Sequence, residues 1–533
     1  MASQIAESGD ARGTILGHPK GLFVLFFAEM WERFSYYGMR ALLIFYLTKH
    51  WLFSDGEASL IYGAYTSLVY ITPVLGGWLA DKYLGQRKAV LFGAVVLTLG
   101  HFLMAFEGNG SGQGDPAINV FWLALSFIIV GSGFLKGNIS VIVGKLYPLT
   151  DVRRDGAYTI FYMGINLGSF FGVLIAGFLG ETYGWSYGFG AAGIGMLLGL
   201  LVFIWGKPLL MDRAEAPDPA LLHKRVGGIK LEWLLYAIGL ASIAVLWVLV
   251  QLPQAVGWML LASGAALLLY VAYIAVTRLT PHERDRIFVI IFLLLLQPVF
   301  WGLFEQAGAA VSLFTDRHVD RTFMGWEVPT TWFQSVNAAF IILLGPVFAS
   351  LWTMLGRRGL EPSTPAKFGL AIVQVGLGFL LLVWGAQAQG VGVATSLWLI
   401  VLLYLLHTTG ELCLSPVGLS AMNRLAPWHM AGLIMGSWFF ATAGGNFVAG
   451  QISAMTGAEN AESGEGAKEL FLTVWTSVGW TAVGIGVVVL VLSPFVKKLM
   501  HLDTLKDREP ELAGHPEAGE PQAAGVHPEN RPA

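Results

Sequence analysis

Several residue types and motifs are scarce or absent in this 533-residue chain. Cys413 is the only cysteine, which excludes an intramolecular disulfide bond. Charged residues make up 13% of the chain, whereas a soluble domain carries about 25%. The sequence has no basic tract that would bind nucleic acid. It also has no His-Glu-x-x-His motif, no cysteine cluster and no glycine loop followed by Lys-Ser or Lys-Thr, so we expect no metal or nucleotide cofactor.

Apolar residues dominate instead. Hydrophobic residues make up 55% of the chain, with 66 glycines and 19 tryptophans, which suits close helix packing and anchoring at a membrane interface. Residues 1–20 contain no apolar core of a signal peptide, so we expect none to be cleaved. We predict an all-α membrane protein with fourteen transmembrane helices, near residues 22–48, 57–80, 88–106, 118–145, 156–180, 185–206, 231–251, 256–277, 287–306, 331–355, 366–386, 395–421, 430–452 and 470–498.

The order of these spans suggests two similar halves. A charged, proline-rich stretch follows the first six spans, and six spans also close the chain. Lys and Arg concentrate in the loops on one side, so both termini are predicted to be cytoplasmic, with the protein in the cell inner membrane. The predicted divisions are an N-terminal six-helix bundle at 1–206, a cytoplasmic linker with an extra transmembrane hairpin at 207–285, a C-terminal six-helix bundle at 286–502 and a disordered cytoplasmic tail at 503–533.

Three charged residues interrupt the first apolar span. Glu29, Glu32 and Arg33 each cost about 2.5–3.5 kcal/mol near the centre of a membrane, so we expect them to pair and to face a water-filled cavity. Helical steps of three and four residues place them on one stripe with Tyr36 and Tyr37. The stripe therefore predicts the wall of a polar cavity inside the bundle.

Other spans also contain isolated charges. Lys136 lies in the middle of the fourth span, among glycines that let a ligand approach closely. Glu305 follows Trp301 by one helical turn, and we predict that it is the counter-ion of Lys136, because each charge is costly alone. A lysine neutralised by burial and a hydrated glutamate at the interface are the alternatives. Glu411 has no basic neighbour in its own span, so a cationic ligand group or a transported proton is its expected partner.

Phenols and amides on the inner faces of other spans would suit a ligand that varies in structure. They offer hydrogen bonds beside an apolar surface. The candidates are Tyr70, Tyr162, Asn166 and Asn337. Since no ATP-binding motif is present, a proton gradient is the expected source of energy, and carboxylates within the membrane favour protons as the coupling ion.

The loop after the second span resembles a signature of the major facilitator superfamily. It reads Gly77-Trp78-Leu79-Ala80-Asp81-Lys82-Tyr83-Leu84-Gly85-Gln86-Arg87-Lys88. Asp81 and Arg87 bracket this loop, and we interpret them as a charge latch that pairs with a neighbouring helix end. An ordinary basic turn is the alternative.

Two further stretches resemble the proton-coupled oligopeptide transporters, the peptide branch of that superfamily, in their bacterial form. The stretches are Glu29-x-x-Glu32-Arg33-Phe34-Ser35-Tyr36-Tyr37-Gly38 and Phe161-Tyr162-Met163-Gly164-Ile165-Asn166-Leu167-Gly168-Ser169. The resemblance implies a major facilitator fold of two six-helix bundles plus two extra helices, and proton-coupled symport of di- and tripeptides by alternating access.

The resemblance also implies roles for individual residues. Arg33 and Lys136 would bind the peptide carboxylate, and Glu411 would bind its amino terminus. Glu29, Glu32 and Glu305 would carry protons. The remaining pocket residues would be Tyr37, Tyr70, Tyr162, Asn166, Trp301 and Asn337. Gly63 stands where mammalian members have a histidine, so proton entry must differ here.

The sequence leaves alternatives open. A proton-coupled carrier of another small substrate such as nitrate is one of them. A membrane-embedded enzyme and a peptide-sensing receptor are others, although an enzyme would want its catalytic acids or a metal in an interfacial loop. The expected partners are di- and tripeptides, protons and the lipid bilayer, and we expect a monomer to suffice.

Overall fold

The computed structural model describes residues 13–148, 151, 153–457 and 465–508. Within these ranges fourteen long helices are present, as the apolar runs predict. They are α1 (Lys20–Phe45), α2 (Asp55–Leu79), α3 (Gln86–Met104), α4 (Ile118–Lys145), α5 (Arg154–Tyr183), α6 (Trp185–Trp205), α7 (Leu231–Leu249), α8 (Pro253–Arg278), α9 (Pro281–Phe304), α10 (Ser335–Arg357), α11 (Thr364–Gln389), α12 (Leu397–Leu425), α13 (Ala431–Thr456) and α14 (Glu465–Leu499).

Length and composition alone qualify twelve helical segments in the described ranges as membrane spans, and α1 and α13 are not among them. Helix α1 contains the charges described above, and α13 is rich in glycine and other small residues. Both pack among their neighbours, α1 against α5 and α6, and α13 against α2 and α9. We call α1–α6 the N-terminal half and α9–α14 the C-terminal half, a division that stays a prediction.

Short elements complete the described chain. Helix α1 continues as a π-helix at Tyr46–His50, and α2 does so at Ala80–Leu84. Short α-helices lie at Pro219–His223 and Ala310–His318, and 3₁₀ turns at Gly112–Gly114, Lys207–Leu210, Glu305–Gly308, Thr330–Gln334, Trp428–Met430 and Leu502–Arg508. Two-residue strands pair antiparallel at Thr14–Ile15 with His18–Pro19, Arg225–Val226 with Ile229–Lys230, and Thr322–Phe323 with Trp326–Glu327, and parallel at Val319–Asp320 with Thr395–Ser396. Residues 509–533 of the predicted tail lie outside the described residues.

The two halves approach most closely where α2 crosses α13. A Cβ atom on Gly63 would lie only 2.8 Å from the Cα atom of Gly450. The backbones of the two helices therefore touch, and position 63 has no room for a histidine side chain. This explains in steric terms why the chain has glycine there.

The linker after α6 is packed against the N-terminal half. We call residues 207–224 the strap. The carbonyl of Ala214 accepts a hydrogen bond of 3.0 Å from the backbone N–H of Arg87, and Glu215 forms an ion pair with the Arg87 guanidinium, with one Nη2–Oε2 distance of 2.9 Å. Gly85 has a φ of +74°, and a Cβ there would collide with the strap backbone at Glu215. The predicted latch residue Arg87 thus binds the strap and not a helix end.

The extra hairpin, α7 and α8, contacts both halves. Helix α7 is held by an ion pair of 2.7 Å between Lys88 and Glu232, and Gly239 makes room for the ring of Phe92. Helix α8 faces the other way, because its Gly257 receives the ring of Phe447 on α13. The hairpin therefore lies across the seam between α2 and α13.

Candidate functional site

The charged stripe on α1 lies inside the bundle, as the spacing predicts. Glu29 and Glu32 are fully buried. The guanidinium of Arg33 lies 2.6 Å from Glu29 and 3.3 Å from Glu32. One guanidinium thus holds two carboxylates, and both oxygens of Glu32 lack a hydrogen-bond partner in the described part of the chain.

Lys136 on α4 belongs to the same cluster. Its ammonium lies 3.6 Å from the ring centre of Tyr36 and 5.1 Å from that of Tyr70, so aromatic faces stabilise the charge. The buried Nζ atom has no hydrogen-bond partner among the residues described. A desolvated cation that keeps its hydrogen-bonding capacity is suited to receive an anionic group.

Glu305 lies elsewhere than predicted. It forms an ion pair with Arg40 of α1, and the Arg40 Nε atom donates a 2.5 Å hydrogen bond to the hydroxyl of Tyr62. The predicted pair between Glu305 and Lys136 is therefore wrong in this structure. Glu305 also begins a 3₁₀ turn, because α9 ends at Phe304, so it does not share a regular helical face with Trp301.

Arg40 lies on the stripe that the helical spacing predicts, although the sequence reasoning assigned it no role. The same steps of three and four residues that link Glu29 to Tyr37 also reach position 40, so the stripe itself contained the signal. Arg40 is a second guanidinium at the far end of that stripe, and it is 6% exposed.

Glu411 lies in the C-terminal half and has no cationic partner among the described residues. Its Oε2 atom accepts a 3.0 Å hydrogen bond from the amide of Asn337 on α10, and the same amide lies 3.0 Å from the hydroxyl of Thr408. Two predicted pocket residues thus meet. The half-buried carboxyl group is held in place by a neutral amide, with no cation beside it among the described residues.

The phenols and amides occupy both halves. Tyr37 of α1 and Tyr70 of α2 lie close to each other. Asn166 donates 3.0 Å to the carbonyl of Tyr162, whose side chain is 42% exposed. Trp301 donates 2.9 Å to Gln297. Asn166 and Trp301 are thus positioned by their own helices, and the exposure of Tyr162 shows that open space adjoins it.

The face of the bundle opposite the strap is closed by contacts between the halves. Asp55 accepts two hydrogen bonds from Arg317, one of 2.8 Å, and Lys49 lies 2.7 Å from Asp316. Glu181 accepts hydrogen bonds of 3.0 and 2.7 Å from the backbone at 330 and 331. These contacts hold the two halves together at that face. No group of three His, Cys, Asp or Glu side chains in the described ranges could hold a metal ion.

Long apolar helices that surround buried charged residues contributed by both halves are the architecture of a membrane transporter. The proteins that the chain resembles are likewise transporters and not enzymes. Residues 87–468 match the model of the POT family, and the chain belongs to that family. It is similar to the peptide transporter YePEPT of Yersinia enterocolitica, with 40% identity over 467 residues that cover 82% of this chain and 88% of that one. It is also 31% identical to dipeptide and tripeptide permease B of Edwardsiella piscicida, over 83% of this chain and 88% of that one.

Solved structures agree with this assignment. A crystal structure of a peptide transporter POT in complex with alafosfalin has a TM-score of 0.79 and 33% identity, covering 94% of this chain and 99% of that one. A POT family transporter in complex with 5-aminolevulinic acid has a TM-score of 0.78 and 30% identity, covering 92% and 99%. The fold is therefore that of a major facilitator transporter with two extra helices.

Proposed function

We propose that this chain transports di- and tripeptides into the cell together with protons. The observation that carries the proposal is the pair of charges without permanent partners on opposite halves: the Lys136 ammonium beside Arg33, and the Glu411 carboxylate held only by neutral groups. A peptide zwitterion has one charge of each sign at its ends. Its carboxylate would bind Arg33 and Lys136, and its amino group would bind Glu411.

The comparisons support this substrate class. Relatives that resemble the chain over most of its length are named as peptide transporters and as dipeptide and tripeptide permeases. Tyr37, Tyr70, Tyr162, Asn166, Trp301 and Asn337 would form the walls of the pocket. Since the termini of the peptide supply the charges, its side chains can vary.

Proton coupling would use the carboxylates that hold guanidinium groups. Glu29 and Glu32 neutralise Arg33, and Glu305 neutralises Arg40 across the two halves. A proton on Glu305 would release Arg40 and loosen the contact between the halves, whereas a peptide carboxylate would replace Glu29 and Glu32 at Arg33. Proton and peptide would thus favour the same rearrangement, which is the requirement for symport.

The orientation of the chain follows from its basic loops. With Lys and Arg on the cytoplasmic side, both termini and the strap would be cytoplasmic, in a cell inner membrane. The face closed by Asp55 and Arg317 would then be the outer one, and the site would be reached from inside the cell. A monomer contains both halves of the site, so we propose that it is the functional unit.

The test is uptake of labelled dialanine into proteoliposomes that contain the purified protein, with and without an inward proton gradient. Arg33→Ala and Glu32→Gln are measured beside the wild type. We expect accumulation that depends on the gradient and that either variant abolishes. A dipeptide blocked at both ends should not compete. If the folded wild type takes up no peptide, or takes up the blocked one equally well, the proposal fails, and nitrate and other small anions would be tested next.

A further inference from the structure

Trp301 is held from two sides by residues outside the proposed pocket. On one side α13 touches it, because a Cβ atom on Gly445 would collide with the Trp301 Cβ atom. On the other side Gln297, one turn earlier on α9, accepts a 2.9 Å hydrogen bond from the indole Nε1 atom through its Oε1 atom. The base of the side chain and the edge of the ring are thus both fixed.

The orientation of the Gln297 amide follows from the chemistry of its partner. An indole nitrogen only donates, so the amide oxygen must face it and the amide nitrogen must point elsewhere. Thr442 on α13 lies with its hydroxyl 3.1 Å from the same oxygen, and also 3.1 Å from the carbonyl of Trp438. The hydroxyl has one proton and serves one acceptor at a time. The indole of Trp301, the amide of Gln297 and helix α13 thus form one connected unit.

Gln297 is not explained by the stability of the fold. Its side chain is 0% exposed, and its Nε2 atom has no hydrogen-bond partner among the described residues. A buried amide donor without a partner destabilises the fold, and a leucine of similar length would avoid that cost. Because the side chain is inaccessible, it does not contact a ligand itself. What the amide provides is the oxygen that holds the indole.

We infer that Gln297, supported by Thr442, is a positioning residue that fixes the Trp301 ring and thereby determines which peptide side chains the pocket accepts. The inference rests on the proposed function, since it assumes that Trp301 lines a peptide pocket. Without the hydrogen bond the indole can turn into other rotamers, and the space beside a bound peptide changes. We expect peptides with small side chains to be unaffected, because their side chains would not reach the ring.

The size of the effect follows from the bond that is lost. A typical hydrogen bond contributes about 0.5–1.5 kcal/mol, which corresponds to about a 2- to 10-fold change in affinity. We therefore expect the ratio of affinities for alanyl-phenylalanine and dialanine to change by about 2- to 10-fold in Gln297→Leu, in either direction. The affinity for dialanine itself should stay within about 2-fold, and the melting temperature should not fall.

A double-mutant cycle separates positioning from a structural role. Trp301→Phe keeps an aromatic ring but has no N–H group, so Gln297→Leu should have no further effect on the affinity ratio in that background. Thr442→Val should shift the affinity ratio less than Gln297→Leu does. Thr442→Ser keeps the hydroxyl and should therefore leave the ratio at its wild-type value. An unchanged ratio in Gln297→Leu, or an effect of equal size in the Trp301→Phe background, would overturn the inference.

Failure of the proposed function would look different. The wild type would then bind neither peptide, and the affinity ratio could not be measured. In that case the position of the Trp301 ring in cryo-electron microscopy maps of the wild type and Gln297→Leu decides the question. A ring that stays in place without the Gln297 amide contradicts positioning, whereas a ring that turns supports it.

Discussion

Arg40 of α1 and Glu305, in the turn after α9, form a buried ion pair between the two halves, although 265 positions separate them in the chain. Both are 6% exposed, and the hydroxyl of Tyr62 accepts a further hydrogen bond from Arg40. Removing one partner of such a pair leaves an uncompensated buried charge, at a cost of about 3–5 kcal/mol. The pair therefore joins α1 to the turn that follows α9 by an interaction that neither residue can lose without cost.

Glu305→Gln should separate binding from proton coupling. The amide keeps the shape of the side chain but cannot take up or release a proton. We expect gradient-driven accumulation of dialanine to be lost, because position 305 no longer takes up a proton, whereas exchange of labelled for unlabelled dialanine without a gradient persists. The control is Glu327→Gln, because Glu327 pairs with Arg321 on an exposed hairpin. Normal accumulation by Glu305→Gln would contradict the coupling role.

The contact between Asp55 and Arg317 should stabilise the closed state of its face. Asp55→Ala removes a bidentate pair, so the closed state loses part of its advantage. We expect spin-label distances between that end of α2 and the short helix Ala310–His318, which contains Arg317, to acquire a longer component. The charge-reversed double variant Asp55→Arg with Arg317→Asp should restore the short distance. If Asp55→Ala leaves the distance distribution unchanged, this pair does not hold the face closed.

A methyl group at position 63 should separate α2 from α13. The Cβ atom of Gly63→Ala would lie 2.8 Å from Gly450, so the helices must move apart. Overpacking of this kind costs about 1–3 kcal/mol, and we expect a lower melting temperature in detergent. Gly77→Ala is the matched control. Gly77 lies in the same helix as Gly63, and nothing lies within 4 Å of the position that its Cβ atom would take. Equal melting temperatures for the two variants would mean that the crossing adapts without cost.

The strap should weaken in acid. The hydrogen bond from Arg87 holds the pKa of the Glu215 carboxyl below its ordinary value of 4.5. A lowered pKa in the folded state stabilises the fold above the ordinary pKa, and this contribution is lost as the pH falls through the lowered value. At pH 7, Glu215→Gln should therefore melt at a lower temperature than the wild type. Its free energy of unfolding should be lower by about 1 kcal/mol or less. Melting curves from pH 7 to pH 3.5 should show the difference disappearing below about pH 4.5. A difference that is constant with pH would contradict the ion pair.

The sequence predicts the fold well because apolar length and helical spacing are local signals. Span positions follow from runs of apolar residues, and the stripe on α1 follows from helical spacing. Both depend on residues close in the chain. The family resemblance assigns Asn337 and Glu411 to one pocket. Residue spacing cannot predict their hydrogen bond, because they lie on two different helices.

The errors concern contacts between distant segments. Lys136 and Glu305 were paired because each lacked a partner in its own span, yet a closer guanidinium, Arg40, takes Glu305. Charge alone does not choose between two cations, and the choice depends on how α1 and α9 cross. The packing of the strap depends likewise on tertiary contacts at Gly85, whose positive φ no spacing rule reveals.

The strap has a mechanical consequence for the connection between the halves. It follows the surface of the N-terminal half from α6 to α7, and α7 is pinned there by Lys88 and Glu232. The chain that connects the two halves is therefore bound to the N-terminal half as far as α7. The part of the chain that crosses from one half to the other is helix α8 and the short turn into α9, and not a flexible linker. Extra residues inserted in the strap should therefore not change how far the two halves can separate, because α7 stays bound to the N-terminal half.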